Sequence, residues 1–473
     1  MVPTDLSPQA CFEKVCTRAN EAALDATRPL YHFAPPAMWM NDPNGAIEAG
    51  GWYHIFFMHD PYKANGESTA VLPDLTEVPG SRKPNRVWAH VKTKDFIRWL
   101  YCTPALVPER SYGELKPMSG SSILLPDKTP MIMYTSRAFD FICSQKIAFG
   151  DKDLNFFKQI NSSVIDKSME NSPVMDDEFR DPFLLEHNGK FFAVVAANIK
   201  KGNSNYAVLA LYQSKPDLTD KWIYKGILLE SPVEKIGYFE CPKLFQLSEK
   251  WVLVFSPYGP PKYYVGELDL ENCSFNVEAE GFVDYTSCAY ASVNLETKEK
   301  GTYLFSWIPG WDKKYNISQN WGGCLSIPHK LSLTPDFYLK QEPSDSIEKL
   351  KDTPKLAENG IGLTGGSWVL ELDSPDEKGY IQLKNKNGQT VWEISWDGKN
   401  LTVNNNAIKV TGVHSIKFFM DRTIWELFIS DGLYCFTGMF TEFQHLNLFY
   451  NTGCRPAISY ISPIIQELNY DRH

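Results

Sequence analysis

The chain has 473 residues and a net charge of -10; 43% of its residues are hydrophobic, 14% aromatic and 22% charged. That length calls for two or three cores rather than one. No apolar run approaches the roughly 18 residues of a membrane span, and the acidic balance lacks the basic stripe that releases counterions from nucleic acid. Neither a membrane nor a nucleic acid is therefore expected as a partner.

The N-terminus, MVPTDLSPQACFEKVC, shows neither a basic n-region nor an apolar h-region, and localisation stays open. Residues 8–26 have the spacing of a short amphipathic helix, so 1–28 are expected to form a helical extension. From Tyr31 the pattern changes to short β-type runs separated by Gly, Pro, Asn and Asp. Five apolar runs stand out: WYHIFFMH (52–59), MIMYTS (131–136), KFFAVVAANI (190–199), WVLVFSP (251–257) and TYLFSWIP (302–309). Their spacing fits one small antiparallel sheet per interval, the signature of a propeller, with a sandwich as the alternative. This region is assigned to 29–340. Residues 341–360 are polar and read as a linker. Strand-like runs from 361 to 473, with turns at Asn387–Gly388 and Asp397–Gly398, suit a β-sandwich. The ten cysteines form no CxxC pair and are expected to be mostly free, buried thiols.

Three acidic residues sit in unusual local sequence: Asp42 in WMNDPNG, Asp181 in FRDPF and Glu240 in YFECPKLF. Asp42 lies 11 residues before Tyr53, Asp181 10 before Phe191 and Glu240 11 before Trp251, each inside or beside an apolar run. Equal offsets in successive repeats predict equivalent places on successive blades, where side chains converge on the propeller axis. Singly, each has a plainer reading. Asp-Pro-Asn-Gly is a good turn, Asp181 beside Arg180 is a ready ion pair, and an isolated Glu240 is ordinary. Together they match glycoside cleavage, which needs a carboxylic acid and a carboxylate flanking one bond. A neighbouring like charge and an apolar pocket keep the acid protonated. Arg180 is expected to keep Asp181 ionised as a third carboxylate.

On these residues the chain resembles glycoside hydrolase family 32, the invertases, inulinases, levanases and related fructosyltransferases. WMNDPNG (39–45), FRDP (179–182) and ECP (240–242) are similar to the family's three signatures. Weaker likenesses are VWAHVKTKDFIRW (87–99), MSGSSI (118–123), WGGCLSIPHKLSL (321–333) and FFMDRTIWELFISDG (418–432). The resemblance implies an all-β chain: a five-bladed β-propeller followed by a C-terminal β-sandwich. It implies retaining hydrolysis of β-fructofuranosides, sucrose or fructo-oligosaccharides, with no cofactor and no metal. By position it makes Asp42 the nucleophile, Glu240 the acid/base and Asp181 the transition-state stabiliser. Asn41, Arg180, Ser119, Trp39 and Tyr290 become sugar contacts. The sequence also departs from the pattern. Met58 stands where a sugar-binding glutamine is usual, and His59 is expected to substitute for it. A polar insert fills 64–86, and Cys288 replaces a common aspartate. Fructosyl transfer through the same intermediate, a non-catalytic sugar-binding relative and association into homo-oligomers stay open at this point.

Overall fold

Each of the five apolar runs is the second strand of a four-stranded antiparallel unit. The computed structural model describes residues 5–71, 77–78, 83–174, 179–309 and 318–469; parts of the polar insert, 72–76 and 79–82, lie outside them. Trp52–Asp60 is buried from end to end except at Trp52, because stacked blades leave neither face of a central strand in water. The innermost strands are Met38–Ala49, Glu114–Leu124, Arg180–His187, Glu240–Leu247 and Tyr290–Thr297, heading blades I to V. Within 341–360, Gln341–Pro343 still belong to an edge strand of blade V, and a single helical turn, Asp345–Glu348, follows.

The sandwich has two six-stranded sheets. Its strands alternate: along Thr390–Trp396, Trp392, Ile394 and Trp396 are buried and Glu393 and Ser395 exposed, the period-two pattern of a sheet with one wet face. Trp368, Trp392, Phe418, Trp425 and Phe436 fill its core. The architecture is thus a five-bladed propeller followed by a β-sandwich. The chain then returns: Ile465–Leu468 pairs in parallel with Arg98–Leu106 at the outer edge of blade I. The N-terminal helix, Pro8–Ala23, is capped by Ser7 and buries Cys11, Phe12 and Val15, with Phe12 stacked on Tyr101 of the same blade I strand. No disulfide joins the ten cysteines, most of which are buried.

A buried charge network joins the two domains. Asp421 and Glu426 come from paired strands of the sandwich. Asp421 accepts the backbone N–H groups of Leu30, Tyr31 and His32 at 2.7, 2.8 and 2.9 Å. The His32 ring lies 2.9 Å from Asp421 and 2.8 Å from Glu426, and His329 of blade V reaches the other Glu426 oxygen at 2.7 Å. His32 and Asp421 are both fully buried. Isolated charges at such depth cost several kcal/mol each, so they persist only because each is paired and hydrogen-bonded. Burial opposes charge on His32, but its bonds to Asp421 and Glu426 carry its pKa to about 9. Burial likewise opposes charge on Glu426, yet His329 and His32 bring it down to about 2.

The sign of the linkage follows. The stability from His32 is complete below its ordinary value of 6.5 and is lost as pH rises from there through about 9. The stability from Glu426 is complete above its ordinary 4.5 and is lost as pH falls through about 2. Calorimetric Tm should therefore decline on both sides of a plateau near pH 5–6.5. Glu426→Gln should lower Tm on the plateau and shallow both slopes, since His32 loses its counter-charge. Parallel Tm–pH curves for the two proteins would contradict the assignment.

Candidate active site

At the mouth of every innermost strand two residues stand opposite one on the neighbouring strand. The register slips between Met40 and Pro43, Pro117 and Gly120, Arg180 and Phe183, Glu240 and Lys243, and Tyr290 and Val293. These are β-bulges, which bend a strand and re-aim its side chains. Asp181, Cys241 and Ala291 sit in them at φ of 62°, 49° and 49°, a left-handed conformation that non-glycine residues adopt only under constraint. Counted from the bulge, Glu240 precedes it, Asp181 is its first residue and Asp42 its second. The equal sequence offsets therefore do not give equivalent positions, and that expectation is corrected. Blade I carries a second irregularity between Asn44 and Ile47, which shifts its count.

The re-aimed side chains meet in a cavity of about 260 Å³, lined by Asn41 and Asp42 of blade I, Ser119 of blade II, Arg180 and Asp181 of blade III, and Glu240 of blade IV. Asp42 accepts the Ser119 hydroxyl at 2.8 Å on one oxygen and the Asn41 amide at 3.0 Å on the other, so its carboxylate is held in one orientation. Asn44 ties down the turn behind it, donating to the Asp42 carbonyl at 2.9 Å.

Glu240 is held differently. One oxygen accepts Arg180 Nη2 at 2.7 Å and the other accepts the Tyr290 hydroxyl. Arg180 is itself fixed by the Tyr258 hydroxyl at 2.9 Å and by the face of Tyr238 at 4.1 Å. Burial raises the Glu240 pKa to about 7, with Asp181 adding to the rise and Arg180 and Tyr290 restraining it. Burial and the nearby Glu240 also hold the Tyr290 phenol well above its ordinary value, so the phenol is the donor in that bond. Asp181 accepts the backbone N–H of Cys241 at 3.0 Å and lies 3.7 Å from Arg180. Its pKa is nevertheless raised, by burial first, with Arg180 opposing and Asp42 adding to the rise. Arg180 thus favours the ionised form of Asp181 against burial, while making its short contact with Glu240.

Trp39 stands just behind this cavity, clustered with Cys241, Tyr290 and Trp307. His59 does not reach it. Met58 lines the pit, and strand alternation sends the next residue to the other side, where the fully buried His59 ring packs edge-on against Phe57 and Tyr101. His59 as a substitute sugar contact is thus corrected. Residues not singled out from the sequence also line the pit: Lys83, Arg86, Lys116, Met118, Arg137 and Cys143. Their signal was faint. Arg86 directly precedes VWAHVKTKDFIRW, and Lys116 lies two residues before MSGSSI. Larger cavities lie elsewhere, two of them bordering the propeller channel or the site. One is the opposite mouth of the channel, around Glu48, Glu296 and Lys298; the other is a cleft between propeller and sandwich that shares Tyr258 and Tyr290 with the site.

Residues 32–71 and 76–343 match the model described as the glycosyl hydrolases family 32 N-terminal domain. A sucrose-6-phosphate hydrolase of Bacillus subtilis is 26% identical over 471 residues, covering 89% of this chain and 90% of that protein. A beta-fructofuranosidase, insoluble isoenzyme 2, of Daucus carota is 27% identical over 358 residues, covering 68% of this chain and 56% of that protein. Among solved structures, a Bombyx mori GH32 beta-fructofuranosidase in complex with sucrose superposes with a TM-score of 0.81 at 24% identity, covering 98% of this chain and 99% of that one. At that identity the superposition speaks for the fold.

Removing the phenol tests the geometry around Glu240. Tyr290→Phe deletes a charge-assisted hydrogen bond to the ionised carboxylate, worth about 1.5 kcal/mol or more, so the Glu240 pKa should rise by about one unit. The carboxyl stretch in infrared difference titrations against Glu240→Gln reads this directly; an unchanged or lowered midpoint would contradict it.

Proposed function

The chain belongs to glycoside hydrolase family 32, and we propose that it cleaves β-fructofuranosides by double displacement with retention. Asp42 is the nucleophile, Glu240 the acid/base and Asp181 the stabiliser of the growing positive charge. The observation that carries this reading is the unlike environment of two carboxyl groups in one pit. Asp42 is fixed by two donors, Ser119 and Asn41. Glu240 is buried enough to hold its proton to about pH 7. Pairs of acids whose surroundings set them to different tasks are how one site supplies both acid and nucleophile. The names of the relatives, a sucrose-6-phosphate hydrolase and a beta-fructofuranosidase, support the substrate class.

In the first step Asp42 attacks the anomeric carbon while Glu240 gives its proton to the departing glycosidic oxygen. A fructosyl ester of Asp42 forms and the leaving alcohol departs neutral. In the second step Glu240, now ionised, takes a proton from water, whose oxygen displaces Asp42 and regenerates both groups. Arg180 holds Glu240 across both states. Asp181 bonds the ring hydroxyls and opposes the oxocarbenium charge. Asn41 and Ser119 line the fructosyl side, Met58 contributes an apolar patch beside them, and Trp39 backs them.

With sucrose as the probe, Asp42→Ala or Glu240→Ala should lower kcat by about three orders of magnitude or more, because the two act as one unit. Retention of more than about a tenth of the activity would overturn the roles. Fructose released early in the reaction should carry the starting anomeric configuration by NMR; inversion would require a different geometry. Glu240 must be protonated to act, so turnover should fall as pH rises through about 7. A limb insensitive to Glu240 replacement by a weaker acid would point to another donor.

A further inference from the structure

One wall of the pit is built of cations. Lys83, Arg86, Lys116 and Arg137 all line it, and they come from blades I and II or the chain just before their strands. The acid Glu240 and its donor Tyr290 come from blades IV and V. Arg86 is 2% exposed. One Nη donates to Asn41, and the guanidinium lies 3.4 Å from the Trp39 ring centre. Its Nε and second Nη are buried and have no hydrogen-bond partner among the described residues. Lys116, 9% exposed, sits on the strand that carries Ser119. Burial first, then the positive charges of Arg86, Arg137 and Lys83, drive its pKa well below the ordinary value.

A neutral sugar offers only hydroxyls to the open N–H groups of the buried Arg86 guanidinium. A phosphate monoester brings a charge near -2 and three acceptor oxygens. It suits a guanidinium with open N–H donors flanked by lysines acting as point charges. Position decides which sugar carries it. The leaving group must lie against Glu240, beside the cleft that Tyr258 and Tyr290 share with the sandwich. The cationic wall lies with Asp42, whose carboxylate is bonded to Ser119, three residues from Lys116 on the same strand.

Resting on the fructoside reading, we propose that the preferred substrate carries a phosphate ester on the fructosyl unit itself, seated against Arg86, Lys116 and Arg137 with Lys83 at the rim. The leaving group needs no charge.

Calorimetric titration with fructose, fructose 6-phosphate and glucose 6-phosphate tests the site without catalysis. Kinetics on sucrose, on sucrose phosphorylated at the fructosyl O6 and on sucrose phosphorylated at the glucosyl O6 test it in turnover. Fructose 6-phosphate should bind about tenfold or more tighter than the other two, and the fructosyl ester should show a matching advantage in kcat/KM, the worth of at least one charge-assisted hydrogen bond. Lys116→Met, and separately the half-buried Arg137→Gln, should each shrink that advantage several-fold. Equal affinity for fructose and its phosphate, or preference for the glucosyl ester, would overturn the proposal while leaving cleavage of sucrose intact. Tight fructose 6-phosphate binding with no cleavage of any glycoside would instead overturn the hydrolase reading.

Discussion

The bulge at the mouth of each innermost strand is the constraint on which the site depends. A regular strand sends alternate side chains into the channel and into the blade. Two residues opposite one break that alternation, and they do so at the same height in all five blades. Neighbouring residues thereby gain access to one pit. Arg180 and Asp181 are adjacent in sequence, yet both line it, as do Asn41 and Asp42. The left-handed φ of Asp181 and Cys241 is held by the sheet around them: the Asp181 N–H donates to Thr135 of the neighbouring blade at 2.9 Å, and the Cys241 N–H donates to Asp181. Backbone strain and site geometry are therefore one arrangement.

Charge is managed on the same plan at two depths. Between the domains, His32 and His329 answer Asp421 and Glu426 in a dry, fully paired cluster, whose role is to fix the sandwich against the propeller. In the pit the pairing is deliberately incomplete. Arg180 gives its short contact to Glu240, leaving Asp181 to its backbone donor and a more distant guanidinium. Burial then lifts both carboxyl groups. A site whose acids are all neutralised by fixed partners has nothing left with which to bind hydroxyls or move a proton; this one keeps that capacity.

Much of this was legible in the chain. The apolar runs marked the second strand of each blade because a strand buried on both faces has no polar positions to interrupt it, and Asp42, Asp181 and Glu240 were visible through their Pro-containing neighbours. What failed has a single cause. Position relative to a bulge is a property of two strands in register, and one strand's sequence does not carry it. So equal offsets hid three different places, and His59 looked like a neighbour of the sugar when the pleat turns it towards Tyr101. The cations were missed for a related reason. Arg86, Lys116 and Arg137 are ordinary surface residues in isolation; only the packing of blade I on blade II makes them a wall.

The parallel pairing of Ile465–Leu468 with blade I bears on how the molecule is made. The first blade to leave the ribosome carries Asp42, but its outer edge is completed by residues some 360 positions after that edge strand ends. Final locking of the nucleophile's own sheet thus waits until residues 465–468 have been made. Until then an unpaired edge is exposed, a moment at which a chaperone has something to shield.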